Sequence, residues 1–423
     1  MRLTRTELTG TRTPGEVLRL LSVRARTLGV EVAALCGDWF GSQAVLAPAI
    51  RTEPSELPQF ERFDGPPGTV GGGWFGYLSY DLADPAGRAG LLPKTVWGWA
   101  DHVLRLDRDG RWWFEAVVPG EHPDPAEFEE LLSQPAPEPG WRATILDRPL
   151  PHHDTIKACV HAIEAGELFQ ANICTRFTGR FDGEPAALFA EGVRTLQPRR
   201  AAYLSGAWGS VVSFSPELFL SRQGNHVRST PVKGTRPRRG PEDEHLRQQL
   251  RESTKDVAEN VMITDLVRND LGRVCAVGSV TVPELLTVRP APGVWHLEST
   301  VEGTLAAGRT DEDLLRAAFP PGSVTGAPKI RALDLIADLE SAARGVYTGA
   351  IGLASPVAGL ELNVAIRTFE IHDGRIALGV GGGITADSDP QTEWEECLHK
   401  AAPLEALLAA GIQDQLPDGG TRP

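Results

Sequence analysis

Apolar and polar positions change rhythm twice along these 423 residues. Up to about residue 118 the apolar residues come in short alternating runs, rich in aromatic and β-branched types and bounded by glycine or proline, which predicts strands. Residues 29–35, the glycine cluster 71–73 leading into WFGYLSY, and residues 111–118 are the clearest of them. Trp39, Trp74 and Trp97 read as core or interface residues. From 119 to 149 the chain turns proline-rich and acidic (PGEHPDPAEFEELLSQPAPEPG), which reads as a linker with one short helix, Pro125–Ser133.

Beyond residue 150 helical periods and strand-like runs alternate irregularly. A helix is predicted over 154–165, with the Asp154 carboxylate as N-cap and Gly166 as the stop. The longest helical pattern covers 242–269 and brings Val257, Val261, Met262, Ile263 and Leu266 near one apolar stripe. Residues 311–318, 328–339 and 393–410 are three further helices. Strands are predicted over 168–177, 211–221, 345–355, 362–371 and 375–380, and STPVKGTRPR (229–238) reads as a basic turn after GNH. Without a clean βαβ series this mixture predicts an α+β fold, with sheets covered by helices. The tail 413–423 (QDQLPDGGTRP) is expected to be disordered.

Composition narrows the function classes. At 41% apolar and 23% charged the chain is an ordinary globular protein, and its net charge of -14 argues against a nucleic-acid partner and an anionic membrane surface. The five cysteines are scattered, with neither metal-ligand spacing nor a disulfide framework. No apolar run approaches bilayer length, and the opening MRLTRTELTG lacks a signal-peptide core, so a reducing cytoplasm is expected.

Six lysines stand against thirty-six arginines, which makes Lys233 in PVKGT an uncommon choice of cation. Lysine can lose its proton and act as a nucleophile, and arginine cannot. At an ordinary pKa of about 10.4 only about one lysine in 2,500 is neutral at pH 7. The following Arg236 and Arg238 would lower that pKa, although an exposed basic turn has the same sequence.

Two helices each carry carboxylates three residues apart, Asp256 with Glu259 and Glu393 with Glu396. If the two faces meet, a hard dication such as Mg²⁺ relieves the repulsion; ordinary solvated helix faces have the same spacing. Gly379 and Gly381, Gly382 and Gly383 (GVGGGIT) follow a strand and allow close backbone approach to an anion. The loop FPPGSVTGAPK lacks the G-x-x-x-x-G-K-[ST] spacing of a phosphate-binding loop. Glu217 and His296 are single polar residues in apolar strand-like surroundings, readable as satisfied core groups. Arg367 lies in a buried run and needs an anionic partner, and Tyr347 offers a phenolic donor in a similar position.

Eight blocks, SPELFL, STPVKGTRPR, AENVMITDLVRNDLGRVC, VWHLESTVEGTL, FPPGSVTGAPKIRALDLI, RGVYTGAIG, NVAIRTFEI and GGGITADSDPQTEWEE, resemble in order those of the chorismate-utilising enzymes. The likeness covers about residues 150–405, so 150–412 is expected to be the chorismate-binding catalytic region and 1–118 the family's more variable N-terminal part. It implies a sandwich-like core of antiparallel sheets covered by helices. Lys233 together with Gln170 is the pairing of the aminodeoxychorismate synthase component I members; anthranilate synthases typically carry a small residue at the first position, and water-using members a lysine at the second.

The resemblance further implies Mg²⁺ on Glu259 and Glu396, with Asp256 and Glu393 behind them or reached through water. Tyr347, Arg367 and the backbone at Gly381, Gly382 and Gly383 are implied to grip the chorismate carboxylate, with Gly234, Thr235, Lys400 and Gln170 around the rest of the substrate. Lys233 is the implied nucleophile, Glu217 the acid and His296 its assistant. Ammonia is expected from a separate glutamine amidotransferase subunit, since no G-x-C-x-G-x-Q setting occurs. The product, 4-amino-4-deoxychorismate, leads toward 4-aminobenzoate and folate. Anthranilate synthase component I is the rival within the family, and a non-catalytic chorismate-binding scaffold the rival outside it. The stretch VEVAALCGDWFGS departs from the LLES-type stretch of tryptophan-inhibited members.

Overall fold

The computed structural model describes residues 2–118, 123–138, 140–144 and 146–411. Its strands pair antiparallel into two sheets. The larger runs Arg2–Leu8, Trp112–Val118, His102–Leu106, Ser42–Ile50, Glu31–Trp39, Arg200–Gly206, Gly209–Ser215, Thr368–His372, Arg375–Ile384, Gln170–Gly183 and Gly326–Ala327. The second runs Val232–Pro237, Val294–Thr304, His226–Thr230, Leu218–Gln223, Gly359–Val364, Ala350–Ser355, Gly73–Leu78 and Thr95–Ala100.

Alternation explains the layering. In Glu31–Trp39, Ala34 and Cys36 face one core and Ala33 and Leu35 the other. The first core is closed by helices Pro14–Leu28, Pro185–Leu196 and Pro390–Ala410, through Leu18, Phe189 and Leu404. The second lies between the sheets, where Leu35 and Val45 share a cluster with Phe75, Tyr77 and Ile351. Helices Thr254–Gly272 and Asp311–Ala318 cover the far face of the second sheet with Ile263, Leu271 and Leu314. The expected α+β sandwich is therefore the observed fold, and the N-terminal residues supply strands to both sheets. No described helix is long and apolar enough to cross a membrane.

Several local expectations are corrected. Helix Pro14–Leu28 was not anticipated, although Thr13 and Glu16 form a capping box, Pro14 opens the first turn and Gly29 closes the helix at φ 64°. The proline-rich stretch does not hang free: Phe128 and Leu132 of its helix are buried, and Trp141–Ala143 pairs with Gln170–Gly183. Residues 119–122 of that stretch and the tail after 412 lie outside the described residues. Helix His153–Glu164 begins one residue earlier, so Asp154 sits in its first turn and does not cap it.

The 242–269 pattern is two helices, Glu244–Glu252 and Thr254–Gly272, divided at Ser253, whose side chain accepts from the Asp256 N–H. The buried face of the second holds Asn260, Ile263, Thr264, Val267 and Leu271, and Val261 is exposed. That i, i+3, i+4, i+7, i+11 series outweighs the expected stripe.

Two other corrections shape the site. Residues 211–221 and 362–371 are each two strands in different sheets, broken around Pro216–Glu217 and Ala365–Arg367. The crossings abut: Phe214 N–H donates to the Arg367 carbonyl at 3.0 Å, and Val364 N–H to the Glu217 carbonyl at 3.1 Å. The STPVKGTRPR stretch is likewise no turn but parts of two strands, His226–Thr230 and the edge strand Val232–Pro237. Pairing of the latter with Val294–Thr304 slips between Val232 and Thr235, so Lys233 and Gly234 (φ 85°) lie in an irregularity of the kind that re-aims a side chain.

Candidate active site

Strand Arg375–Ile384 forms the floor. It runs on through Gly381, Gly382 and Gly383, which lie within the strand, not after it, opposite Cys174, Ile173 and Asn172. Its pairing with Thr368–His372 stops at Leu378, so beyond that point one edge has no strand neighbour among the described residues. A Cβ on Gly383 would lie 2.1 Å from Gln170 Nε2 and 3.3 Å from Glu259 Oε2. One on Gly382 would lie 3.3 Å from Glu393 Oε2 and 3.8 Å from Glu396 Oε1. The two carboxylate-bearing helices therefore do meet, over the bare backbone of these glycines.

Cations and donors are interleaved with those carboxylates. Lys233 Nζ stands 3.8 Å from Glu259 Oε2, and Gln170 Nε2 donates to the same oxygen at 3.3 Å. Lys400 Nζ lies 2.7 Å from Glu396 Oε1 and donates to the Gly381 carbonyl at 2.8 Å. Arg236 takes Asp256 at 2.8 Å, holding that carboxylate away from the centre, beside Gly234. Burial raises the Glu259 pKa, opposed by Lys233 and Lys255, whereas Lys400 above all lowers that of Glu396.

At the strand crossings Glu217 is buried, and burial pushes its carboxyl up to about 7. A hydrogen bond from Ser323, the charge of Lys233 and the Val232 N–H, 3.5 Å from Oε1, act against that rise. His296 is pushed down to about 3 by burial and by the charges of Arg367 and Arg199, so its imidazole is neutral at working pH. Its Nδ1 lies 3.1 Å from the Thr235 hydroxyl. Among the described residues the Arg367 guanidinium has no hydrogen-bond or ion-pair partner, and burial holds its pKa below the usual arginine value. A desolvated, unpaired guanidinium at φ 52° marks a place for an anion.

Tyr347 is buried against the Cys174 thiol, its pKa raised well above the ordinary value by burial. Its ring occupies the space where a Gly379 Cβ would go, 2.2 Å from Cδ1 and Cγ. Gly379→Ala is expected to displace Tyr347 and to cost about 1–3 kcal/mol by overpacking. Urea denaturation measures that cost; a wild-type midpoint would mean that the ring has room to move.

All the site residues singled out from the sequence thus fall in one region. Sequence reading missed Lys255, whose Nζ lies 3.3 Å from Glu393 Oε1, and Ser388, which donates to the same oxygen at 2.7 Å. Lys255 stands four residues before Glu259 on its helix, a spacing visible in the sequence. Ser323, beside Glu217, carried no such signal.

Residues 31–406 match the family of chorismate binding enzymes. The chain belongs to that family. The match takes in the N-terminal strands from Glu31 onward as well as the eight blocks. An anthranilate synthase component I-like protein of Synechocystis is 37% identical over 357 residues, which are 80% of this chain and 72% of that protein. Aminodeoxychorismate synthase component 1 of Salmonella typhimurium is 35% identical over 345 residues, 78% of this chain and 75% of the relative. The solved structure of anthranilate synthase component I from Streptococcus pneumoniae superposes with a TM-score of 0.70 at 25% identity, over 96% of this chain and 92% of that one. This chorismate-utilising enzyme thus has relatives named for two different aminations, so its own reaction is argued from the site.

Proposed function

We propose that the enzyme replaces the 4-hydroxyl of chorismate with an amino group, as an aminodeoxychorismate synthase component I. The observation that carries this reading is the Lys233 ammonium 3.8 Å from Glu259, a carboxylate that also takes Gln170. That contact supports reading Lys233 as the nucleophile, and a glutamine at position 170 is no general base for water.

Arg367 and Tyr347, with the open edge at Gly381, Gly382 and Gly383, bind the ring carboxylate; Thr235 and Gly234 close the other side. Lys233, once its ammonium has given a proton to solvent, attacks C2 of the ring diene with its free amine. The double bonds shift, the C4–O bond breaks, and protonated Glu217 gives its proton to the departing hydroxyl, which leaves as water. Neutral His296, fixed by Thr235, orients that hydroxyl. Ammonia then forms a bond to C4, the double bonds shift back, the C2–N bond to Lys233 breaks to free its amine, and the new C4 ammonium returns a proton to Glu217. One allylic substitution becomes two.

Mg²⁺ fits the carboxylates present. Glu393 Oε2 and Gln170 Oε1 are buried without a hydrogen-bond partner. Glu259 and Glu396, which face each other over Gly383 and Gly382, would be the protein ligands, with water and substrate oxygen completing the shell. Bound there, the ion would supply positive charge for the substrate carboxylate and offset the negative charge of Glu259.

Ammonia is assigned to a separate glutamine amidotransferase subunit, the product to 4-aminobenzoate and folate synthesis, and the enzyme to the cytoplasm. The test is product identification: purified chain, chorismate, Mg²⁺ and concentrated ammonium salt, analysed by mass spectrometry. An amino-substituted chorismate that keeps its enolpyruvyl group and yields 4-aminobenzoate when a lyase is added supports the reading. Anthranilate would replace it with the rival amination.

A further inference from the structure

Strand Gln170–Gly183 loses its outer neighbour just beside the site. The two-residue strand Gly326–Ala327 pairs only with Ala171 and Gln170, whereas on the other side the pairing with Gly381, Gly382 and Gly383 continues through Cys174, Ile173 and Asn172. The outer backbone groups left over are largely taken by a buried ion pair. Arg344 donates to the Asn172 carbonyl, and Glu340 Oε1 accepts from the Cys174 N–H at 2.8 Å. The pair is two-pronged, with Arg344 Nε to Glu340 Oε2 at 2.9 Å and Nη2 to Oε1 at 2.7 Å.

The same guanidinium reaches two more segments. It donates to the Val324 carbonyl at 2.9 Å, next to Ser323, and lies 3.4 Å from the hydroxyl of Thr348, next to Tyr347. Thr348 holds a left-handed φ of 65°, a conformation that a β-branched residue keeps only when its surroundings enforce it. Arg344 also stacks over Tyr80, 4.4 Å from the ring centroid. The pair's side chains are 2% and 4% exposed, and neither takes part in the chemistry described above.

We propose that Arg344, with Glu340, is the positioning residue of the chorismate site: it stands in for a missing strand and fixes from behind the segments that present the three glycines, Ser323 and Tyr347. This rests on reading the site as a chorismate site. Stability alone is a poor reason for such a pair, since buried ion pairs are often replaceable by apolar residues without loss. A planar fork that caps three acceptors at fixed angles has a geometric use, one a lysine cannot reproduce.

The test compares Arg344→Lys and Glu340→Gln with the wild-type full chain. Denaturation midpoint, chorismate Kd by tryptophan fluorescence, and kcat and KM with ammonium are measured at a temperature where each variant is folded. Arg344→Lys is expected to raise the Kd and KM for chorismate about tenfold while kcat stays within about threefold. Glu340→Gln is expected to raise them less, because its amide oxygen still accepts from Cys174. A lowered midpoint with Kd and KM within about twofold of wild type would show a merely structural role and overturn the proposal. Should Arg344→Lys fail to fold, Glu340→Gln decides: a Kd raised about threefold or more supports the proposal, and a wild-type Kd overturns it. If the wild-type chain itself neither binds nor converts chorismate, the underlying reading fails and takes this one with it; normal wild-type binding with unaltered variants sinks this one alone.

Discussion

Lys233→Ala is expected to lower kcat for 4-amination roughly 10³-fold or more, a barrier increase of about 4 kcal/mol. The expectation follows from placement. Lys233 sits in the slipped register between Val232 and Thr235, with its amine toward Glu259 and Gln170. The carboxylate grip is made by other groups, so the variant's Kd for chorismate should stay within about threefold of wild type. Lys233→Arg separates charge from nucleophilicity: it keeps the cation beside Glu259, and its guanidinium does not give up a proton. It should be as inactive as the alanine variant. Steady-state assays with ammonium decide between the two roles; substantial activity in the arginine variant would make Lys233 a charge and not a nucleophile.

Glu217→Gln carries the second large effect, in two measurements that move in opposite directions. As the acid for the departing hydroxyl, Glu217 contributes about 10²–10⁴-fold, and the amide loses that. Because the acid form is the active one and its pKa stands at about 7, wild-type kcat should fall as pH rises through 7. The residual activity of the variant should lack that fall. Stability goes the other way. A carboxyl whose folded pKa is raised keeps its proton while the unfolded chain gives it up, so its contribution is fully present below about pH 4.5 and is lost as pH rises to about 7. The loss is on the order of 3 kcal/mol. Glu217→Gln should therefore gain stability over wild type between pH 5 and pH 8, as read by urea denaturation. Parallel stability–pH curves would contradict a buried, protonated Glu217.

Much of this was legible in the sequence, and the failures share a physical cause. Periodicity placed strands such as Trp112–Val118 and Gln170–Gly183 within a few residues but named none at Ser42–Ile50, Arg200–Gly206 or Thr281–Ala291, and the paired carboxylates at 256/259 and 393/396 proved to lie on helices that meet. What periodicity missed are the crossings. The runs 211–221 and 362–371 resume an apolar pattern on both sides of their breaks, where Ser215–Glu217 and Arg367–Thr368 interrupt it only briefly. Nothing in the local rhythm says that the chain changes sheets at Glu217 and Arg367, yet the crossings are what bring Glu217 to the Val232 N–H and the Arg367 charge to His296. Val261 was misplaced for the converse reason, since the helix buries Asn260 and Thr264 through hydrogen bonds that an apolar count does not see. The roles of Lys255 and Arg344 depend on partners 138 and 172 residues away, beyond any window of the sequence.

The central claim is that Lys233 becomes bonded to the substrate ring. The most direct measurement mixes the purified chain with chorismate and Mg²⁺ in the absence of ammonia, quenches rapidly, and records the intact mass and then the peptide masses. The expected result is a fraction of the protein heavier by chorismate less one water, with the added mass on the peptide containing Lys233 and absent from Lys233→Ala. Turnover to 4-amino product with no adduct on that peptide at any quench time would contradict it.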